Sequence, residues 1–172
     1  ETVDCSRGFD LSEILARHTV IDMTSLRGSA QSLFTEALLK MVLTYRRMTG
    51  ERHGVLRTLV MFDEAARLLP KHRELSGQGI ANTSDIIAMS REFGIGLVGA
   101  DCNPSLVSDA FKAQACVRMV FAQTHGRDIA DSAAALALKP DQIGVIQQLQ
   151  VGEAIVRISG RINRPFLVRI TP

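Results

Sequence analysis

The sequence is poor in the residues that would cross-link it or let it stack on bases. Its three cysteines, Cys5, Cys102 and Cys116, lie far apart and form no CxxC pair, which disfavours both a disulfide framework and a zinc site. There is no tryptophan and only one tyrosine among 172 residues. Aromatic stacking is therefore not expected to dominate any binding to nucleic acid, and the cysteine usage is typical of a reduced, cytosolic protein.

Long apolar runs and a strong charge of one sign are also missing. No run approaches the roughly 20 residues of a membrane-spanning helix, and no signal-peptide pattern opens the chain. We therefore expect a cytoplasmic protein without a membrane partner. The formal net charge is only +2, so a nucleic-acid partner would have to meet a local basic patch. The length and the 46% hydrophobic content suit one globular domain with a sizeable core.

Short apolar runs alternate with helical patterns, which predicts an α/β domain with a mostly parallel sheet. The predicted strands are 18–26, 56–62, 95–100 and 116–123, followed by a hairpin of 152–160 and 164–172. The predicted helices are 33–45, 82–94, 126–137 and 139–149, and 103–115 is predicted to be a loop that enters a short helix. Apolar residues at three- and four-residue steps predict the buried face of the first helix: Leu33, Phe34, Ala37, Leu38, Met41, Val42 and Tyr45.

Two adjacent acids, Asp63 and Glu64, end the apolar run at 56–62. Ligands of parallel sheets collect at the carboxyl ends of the strands. The first acid there suits the Mg²⁺ of a bound ATP, held through water, and the second suits the water that attacks the γ-phosphate. The pattern is thus typical of a Walker B motif. The structural alternative is that Asp63 caps a helix beginning at Ala65 while Glu64 complements its dipole.

Arg91 lies where a predicted helix leads into the next strand. In a ring ATPase, an arginine at such a place reaches the nucleotide of the neighbouring subunit. There it neutralises charge on the transferred phosphoryl group, an effect of about 10³ to 10⁵ in rate. The alternative is a solvated arginine that binds the last carbonyls of its own helix.

Five stretches stand in a characteristic order: VIDMTSL (20–26), LVMFDEAARLLP (59–70), SREFGIGLVGADCNPS (90–105), CVRMVFAQTHGRDIADS (116–132) and LQVGEAIVRISGRINRPFLVRI (149–170). This order resembles the HerA/FtsK-type RecA-like ATPases, above all the HerA translocases and the related conjugation ATPases. The resemblance implies a RecA-like three-layer sandwich with a mostly parallel central sheet and a C-terminal β-hairpin. It makes residues 1–172 the C-terminal part of one such domain, with a core at 15–150 and the hairpin at 151–172.

The function implied by this resemblance is ATP hydrolysis at the subunit interfaces of a homo-hexameric ring that translocates duplex DNA as a translocase or helicase. Asp63, Glu64 and Arg91 would be the catalytic residues, and a nuclease or defence effector would be the partner. Two alternatives stay open. One is a degenerate ring subunit that serves as a scaffold, and the other is a motor for conjugation or secretion.

The sequence departs from the family at two places. No G-x-x-x-x-G-K-[ST] phosphate loop is present, and since the first residue is Glu, we expect that loop to precede residue 1 in a longer polypeptide. Where the family has a Thr-Gln sensor for the γ-phosphate, this chain has Asp101, Cys102 and Asn103. A thiol donates hydrogen bonds poorly, so Asn103 is the expected substitute among these three predicted nucleotide-binding residues.

The predicted DNA contacts are Lys71, His72 and Arg73, in the charged segment 69–79. That segment contains one proline and two glycines, which predicts an exposed and mobile loop. Channel-facing loops of ring translocases hold phosphates through charge, without reading the base sequence. The alternative is that these residues only make the surface soluble.

Overall fold

A computed structural model describes residues 8–49, 55–72 and 83–171. In these ranges the helices are α1 (Leu11–Leu15), α2 (Gly28–Met48), α3 (Ala65–Leu68), α4 (Thr83–Ser90), α5 (Asp109–Gln114), α6 (Gly126–Leu136) and α7 (Val145–Gln148). The strands are β1 (Thr58–Phe62), β2 (Ile95–Gly99), β3 (Val117–Val120), β4 (Glu153–Ile158) and β5 (Ile162–Arg169). Short 3-10 helices occupy Pro104–Leu106 and Pro140–Gln142.

The chain divides into two compact units. The first unit consists of Glu1–Phe62 and Ile80–Gly99, and the second consists of Asp63–Gly79 and Ala100–Pro172. Both β1 and β2 therefore belong to the first unit, and the residues that directly follow each of these strands belong to the second.

A parallel pair of strands, β1 and β2, forms the sheet of the first unit, with Thr58 opposite Ile95 and Phe62 opposite Gly99. Gly94 directly precedes β2 and has a φ of +68°, and an added Cβ would collide with the carbonyl oxygen of Val55. Only glycine fits this turn, because its backbone reaches positive φ without strain. Helix α2 is joined to β1 by the Arg46 guanidinium, which donates to Thr58 Oγ1 at 2.6 and 3.0 Å.

An antiparallel sheet in the order β3-β4-β5 forms the second unit. One apolar cluster packs between this sheet and the helices α6 and α7, and its members are Val120, Ile129, Ala133, Leu136, Ile146, Leu149 and Ile155. The β4–β5 turn contains Gly160 at a φ of +78°. The predicted C-terminal hairpin is thus confirmed, and β3 extends it to three strands.

The sheet order differs from the expected one. The described residues form one parallel pair and one antiparallel three-stranded sheet, and the single mostly parallel central sheet of a three-layer sandwich is not seen in them. The α/β class is confirmed, but the strand predicted at 18–26 is wrong. No strand of the described part pairs with that segment, and Val20 is 94% exposed. An apolar run becomes a strand only where a neighbouring edge accepts its hydrogen bonds.

The buried face of α2 was also predicted wrongly. Leu33 and Met41 are about half exposed, and of the predicted face Val42 alone is fully buried. The observed face is Gln31, Ser32, Thr35, Glu36, Leu39, Val42 and Leu43. Polar groups tolerate this burial because they have internal partners: Gln31 Nε2 donates to the Met23 carbonyl at 2.9 Å, and Thr35 Oγ1 donates to the Gln31 carbonyl at 2.9 Å.

None of the described helices is both long and apolar enough to cross a membrane.

Candidate functional site

A strained turn joins β1 to α3. Asp63 follows the buried end of the strand, and Glu64 then adopts the left-handed conformation with φ 52° and ψ 55°. For a residue with a side chain this conformation costs about 1–2 kcal/mol. It persists only where surrounding contacts impose it, and such positions cluster at functional sites.

Two hydrogen bonds from the start of α3 hold this turn in place. Ala65 N donates to the carbonyl of Ala100 at 2.9 Å, and Ala66 N donates to Asp101 Oδ2 at 2.6 Å. The other oxygen, Asp101 Oδ1, accepts from Asn103 N at 2.6 Å. Asp101 therefore caps α3 and also closes its own turn, so that both carboxylate oxygens bind backbone amides.

The hydrogen bond from Ala66 N to Asp101 bears on the alternative in which Asp63 caps α3 and Glu64 complements its dipole. Glu64 occupies the N-cap position of α3, and its side chain makes no capping hydrogen bond. Asp63 Oδ1 accepts from Glu64 N at 3.1 Å instead of from an amide of the helix. Both side chains are exposed. Asp63 therefore does not cap the helix, and that part of the alternative is not supported.

A cleft of about 660 Å³ opens beside this turn, within the second unit. Six predicted site residues line it: Glu64, Lys71, His72, Asp101, Cys102 and Asn103. Its volume lies in the range of small-molecule sites. Asp63 is not part of the lining, Arg91 belongs to the first unit, where it is exposed after the end of α4, and Arg73 lies outside the described residues.

Cations of the cleft wall are paired with acids. Arg67 Nε lies 2.9 Å from Glu64 Oε2, with both side chains more than 60% exposed. An exposed pair of this kind contributes about 0–1 kcal/mol, so Glu64 can leave Arg67 at little cost. Lys71 Nζ lies 2.8 Å from Asp109 Oδ2, so this predicted DNA contact already has an internal partner.

The segment before Lys71 differs from the exposed loop that the sequence predicts. Leu69 is 3% exposed, and its carbonyl accepts from Ser108 N at 2.9 Å. Pro70 forms an isolated antiparallel bridge with Val107. The beginning of the predicted mobile loop is therefore packed, because the apolar side chain of Leu69 has a core to enter.

A side chain of helix α6 binds the backbone of the 101–106 loop. The buried Asp128 accepts from Ser105 N at 3.0 Å and lies 3.1 Å from His125 Nδ1. Burial by itself would raise the pKa of Asp128, but the hydrogen bonds from Ser105 and the neighbouring His125 hold that pKa below its usual value. In the sequence, Asp128 is recognisable only as an acid in the first turn of a helix.

Lys112 also binds the backbone of the 101–106 loop. Lys112 Nζ donates to the carbonyl of Pro104 at 3.1 Å and to both oxygens of Asp131, at 2.8 and 3.0 Å. Its side chain is 20% exposed. Sequence patterns missed this contact because it joins residues 19 positions apart on two different helices.

No family model matches this chain, and no curated protein matches it in sequence. Solved structures do match. The genome-packaging NTPase B204 of Sulfolobus turreted icosahedral virus 2, in complex with AMPPCP, has a TM-score of 0.68 at 13% identity over 96% of this chain and 73% of its own. This chain therefore shares the fold of that NTPase.

Two further structures share this fold. B204 of Sulfolobus turreted icosahedral virus, described as a DNA-packaging ATPase, has a TM-score of 0.65 at 14% identity and covers 95% of this chain and 72% of its own. VirB4 of Thermoanaerobacter pseudethanolicus has a TM-score of 0.64 at 14% identity. It covers 88% of this chain, which in turn spans 40% of VirB4. At these identities the likeness concerns the fold.

Asp128→Ala is expected to destabilise the protein by about 1–3 kcal/mol, because the amide of Ser105 loses its acceptor in a partly buried place. Asp128→Asn keeps an acceptor oxygen and should cost less. Because the folded-state pKa of Asp128 is lowered, its contribution is present above about pH 4 and is lost as the pH falls through that pKa. Urea unfolding at several pH values measures this, and an equal loss of stability at pH 7 and pH 2 would contradict the assignment.

Proposed function

We propose that this chain carries the hydrolytic acids of an ATP-driven motor, Asp63 and Glu64. The observation that carries the proposal is the turn after β1. Glu64 is held in a strained conformation, while Asp101 supplies the helix cap and leaves both acids uncommitted to it. A further support is that B204, which has this fold, was solved with AMPPCP and with ATP-γS. We therefore take ATP as the ligand.

Asp63 suits the Mg²⁺ that accompanies ATP. Its Oδ2 has no hydrogen-bond partner in the described part of the chain, and its side chain is exposed. Within that part, no three His, Cys, Asp or Glu side chains converge as a closed metal site. One carboxylate fits Mg²⁺, which keeps several waters and takes other oxygens from the substrate phosphates. When bound, the ion neutralises charge on the β- and γ-phosphates.

Glu64 would act on the attacking water. A carboxylate that accepts a hydrogen bond from this water orients it towards the γ-phosphate and polarises it. Glu64 lines the cleft, and its pair with Arg67 is exposed enough to separate readily. The Glu64 carboxylate would thus stay paired with Arg67 in the absence of nucleotide, and it would leave this pair when ATP and the attacking water bind.

Asn103 would sense the γ-phosphate in place of Cys102. Its side-chain amide offers two N–H donors, whereas a thiol is a weak donor. Its backbone N–H is fixed by Asp101 at 2.6 Å, and its side chain lines the cleft with that of Cys102. Asp101 then acts by positioning the neighbouring residues, with its own oxygens bound to the amides of Ala66 and Asn103.

Arg91 would serve the site of the next subunit in a homo-hexamer. Its side chain is exposed and makes no ion pair with the described residues. An arginine in this state is available to the nucleotide of a neighbour, where it would stabilise the charge of the transition state.

The work performed would be the movement of duplex DNA, together with a nuclease or another effector protein. The support is the fold shared with B204, which is described as a DNA-packaging ATPase. The fold is shared with VirB4 as well, which favours a conjugation or secretion motor as the second candidate. Comparing DNA with an unfolded protein as the stimulant of ATP turnover separates the two.

Glu64→Gln is expected to lower ATP turnover of the full-length protein by about 10² or more, since an amide does not accept the proton that a carboxylate base takes. Nucleotide binding should persist, because the change is isosteric and exposed. Steady-state turnover and binding of a fluorescent ATP analogue measure the two effects. Glu13→Gln, at an exposed acid of α1, is the matched control. Undiminished turnover of Glu64→Gln would disprove the role of Glu64 as the base. A wild-type protein that binds nucleotide but does not hydrolyse it would favour the scaffold alternative.

Mixing two inactive variants tests the role of Arg91 across subunits. Arg91→Ala and Glu64→Gln proteins should each be inactive, yet after subunit exchange about one interface in four combines an intact Glu64 with an intact Arg91. Turnover of the mixture should therefore rise to about a quarter of the wild-type rate. A mixture as inactive as its components, with exchange confirmed by mass, would rule out a contribution from the neighbouring subunit.

A further inference from the structure

Positive charge is concentrated in the C-terminal sheet. Residues 115–123 and 153–171 contain one acidic residue, Glu153, and five arginines: Arg118, Arg157, Arg161, Arg164 and Arg169. The whole chain carries +2, so the remaining residues carry −2, the difference between +2 and +4. A nearly neutral protein therefore has one strongly basic part, and this separation produces a local positive potential.

These arginines have no acidic partners within the described residues. The cations that form ion pairs there include Arg17, Arg67, Lys71, Lys112 and His125, and none of the five arginines is among them. Even Arg169, which stands opposite Glu153 in the strand register, makes no ion pair with it. The cations beside the cleft are neutralised internally, whereas those of the sheet are not.

Two of the arginines are cross-strand neighbours at one end of the sheet. Arg118 of β3 stands directly opposite Arg157 of β4, an arrangement of like charges that destabilises a sheet. Arg118 donates to the carbonyl of Lys112 at 3.1 Å and to Ser159 Oγ at 2.9 Å, and Arg157 donates to the carbonyl of Ala135 at 3.3 Å. These neutral acceptors fix the guanidinium groups without cancelling their charge.

The hairpin adds two more cations at the same end, Arg161 in the turn and Arg164 in β5. β4 ends and β5 begins there, with Ile158 opposite Ile162. The side chains of Arg161 and Arg164 are exposed and form no hydrogen bond with the described residues. Ser159, which accepts from Arg118, lies two positions before Arg161, so the turn continues the positive surface of the strands.

We propose that this end of the sheet, the arginine end formed by Arg118, Arg157, Arg161 and Arg164, binds the phosphate backbone of duplex DNA. Guanidinium groups match phosphate oxygens with two parallel hydrogen bonds. Contact with phosphates needs no base stacking, which suits a chain with one tyrosine and no tryptophan. The arginine end adds a second basic surface to the predicted contacts Lys71, His72 and Arg73, of which Lys71 is paired with Asp109.

The choice of DNA as ligand rests on the proposed motor function, so the test measures binding without nucleotide. The full-length protein is titrated with a fluorescent 30-base-pair duplex at several salt concentrations. Arg161→Ala/Arg164→Ala should weaken binding about tenfold or more at 0.15 M salt. It should also reduce the slope of log K against log salt by about 2, since each lost phosphate contact removes about 0.9. Arg161→Lys/Arg164→Lys should keep most of the slope.

Lys40→Ala/Arg47→Ala is the matched control, with the same change in charge at exposed positions of α2, and its slope should stay at the wild-type value. Glu64→Gln should bind DNA as the wild type does, so that a failure of hydrolysis is separable from a failure of this surface. An unchanged slope in the Arg161/Arg164 variant, or an equal loss in the control pair, would overturn the proposal. So would displacement of DNA by poly-glutamate at equal charge concentration, which would indicate an acidic protein as the ligand.

Discussion

The carboxylate of Asp101 is the contact on which the candidate site depends. Its two oxygens accept hydrogen bonds of 2.6 Å from Ala66 N and Asn103 N. Hydrogen bonds from backbone amides to a carboxylate are charge-assisted and stronger than those between neutral groups. One side chain thereby fixes the first turn of α3, which keeps Glu64 in its strained conformation, and fixes the loop that presents Asn103. Asp101, which the sequence suggests as a nucleotide ligand, thus also holds two segments of backbone together.

The acids near the cleft are divided between two tasks. Asp101 accepts from the amides of Ala66 and Asn103, and Asp128 accepts from the amide of Ser105. Asp63 and Glu64 lie exposed in the turn, and among the described residues their partners are a neighbouring amide and the Arg67 guanidinium. The carboxylates bound to amides provide rigidity, and the other two are those proposed to act on a metal and a water. Such a division would suit the preorganised site that the proposed hydrolysis requires.

The features predicted correctly from the sequence are those that depend on residues close together in the chain. The helix at 126–137 and the C-terminal hairpin depend on neighbouring residues, and these predictions were confirmed. Asp63 and Glu64 do follow a strand. The strand at 18–26 and the buried face of α2 depend on which surface packs against them, and both were wrong. The role of Asp101 depends on the amide of Ala66, 35 positions away. The arginine end was hidden by a net charge of only +2, because the rest of the chain offsets it.

The central claim is that Asp63 and Glu64 face the phosphates of ATP, and a structure of the full-length protein with Mg²⁺ and an ATP transition-state analogue tests it most directly. The account predicts that Asp63 would hold the ion through one water. It also predicts Glu64 released from Arg67 and bound to the attacking water, with Asp101 still capping α3. A nucleotide bound away from this turn, or Glu64 still paired with Arg67 in the loaded site, would contradict the account.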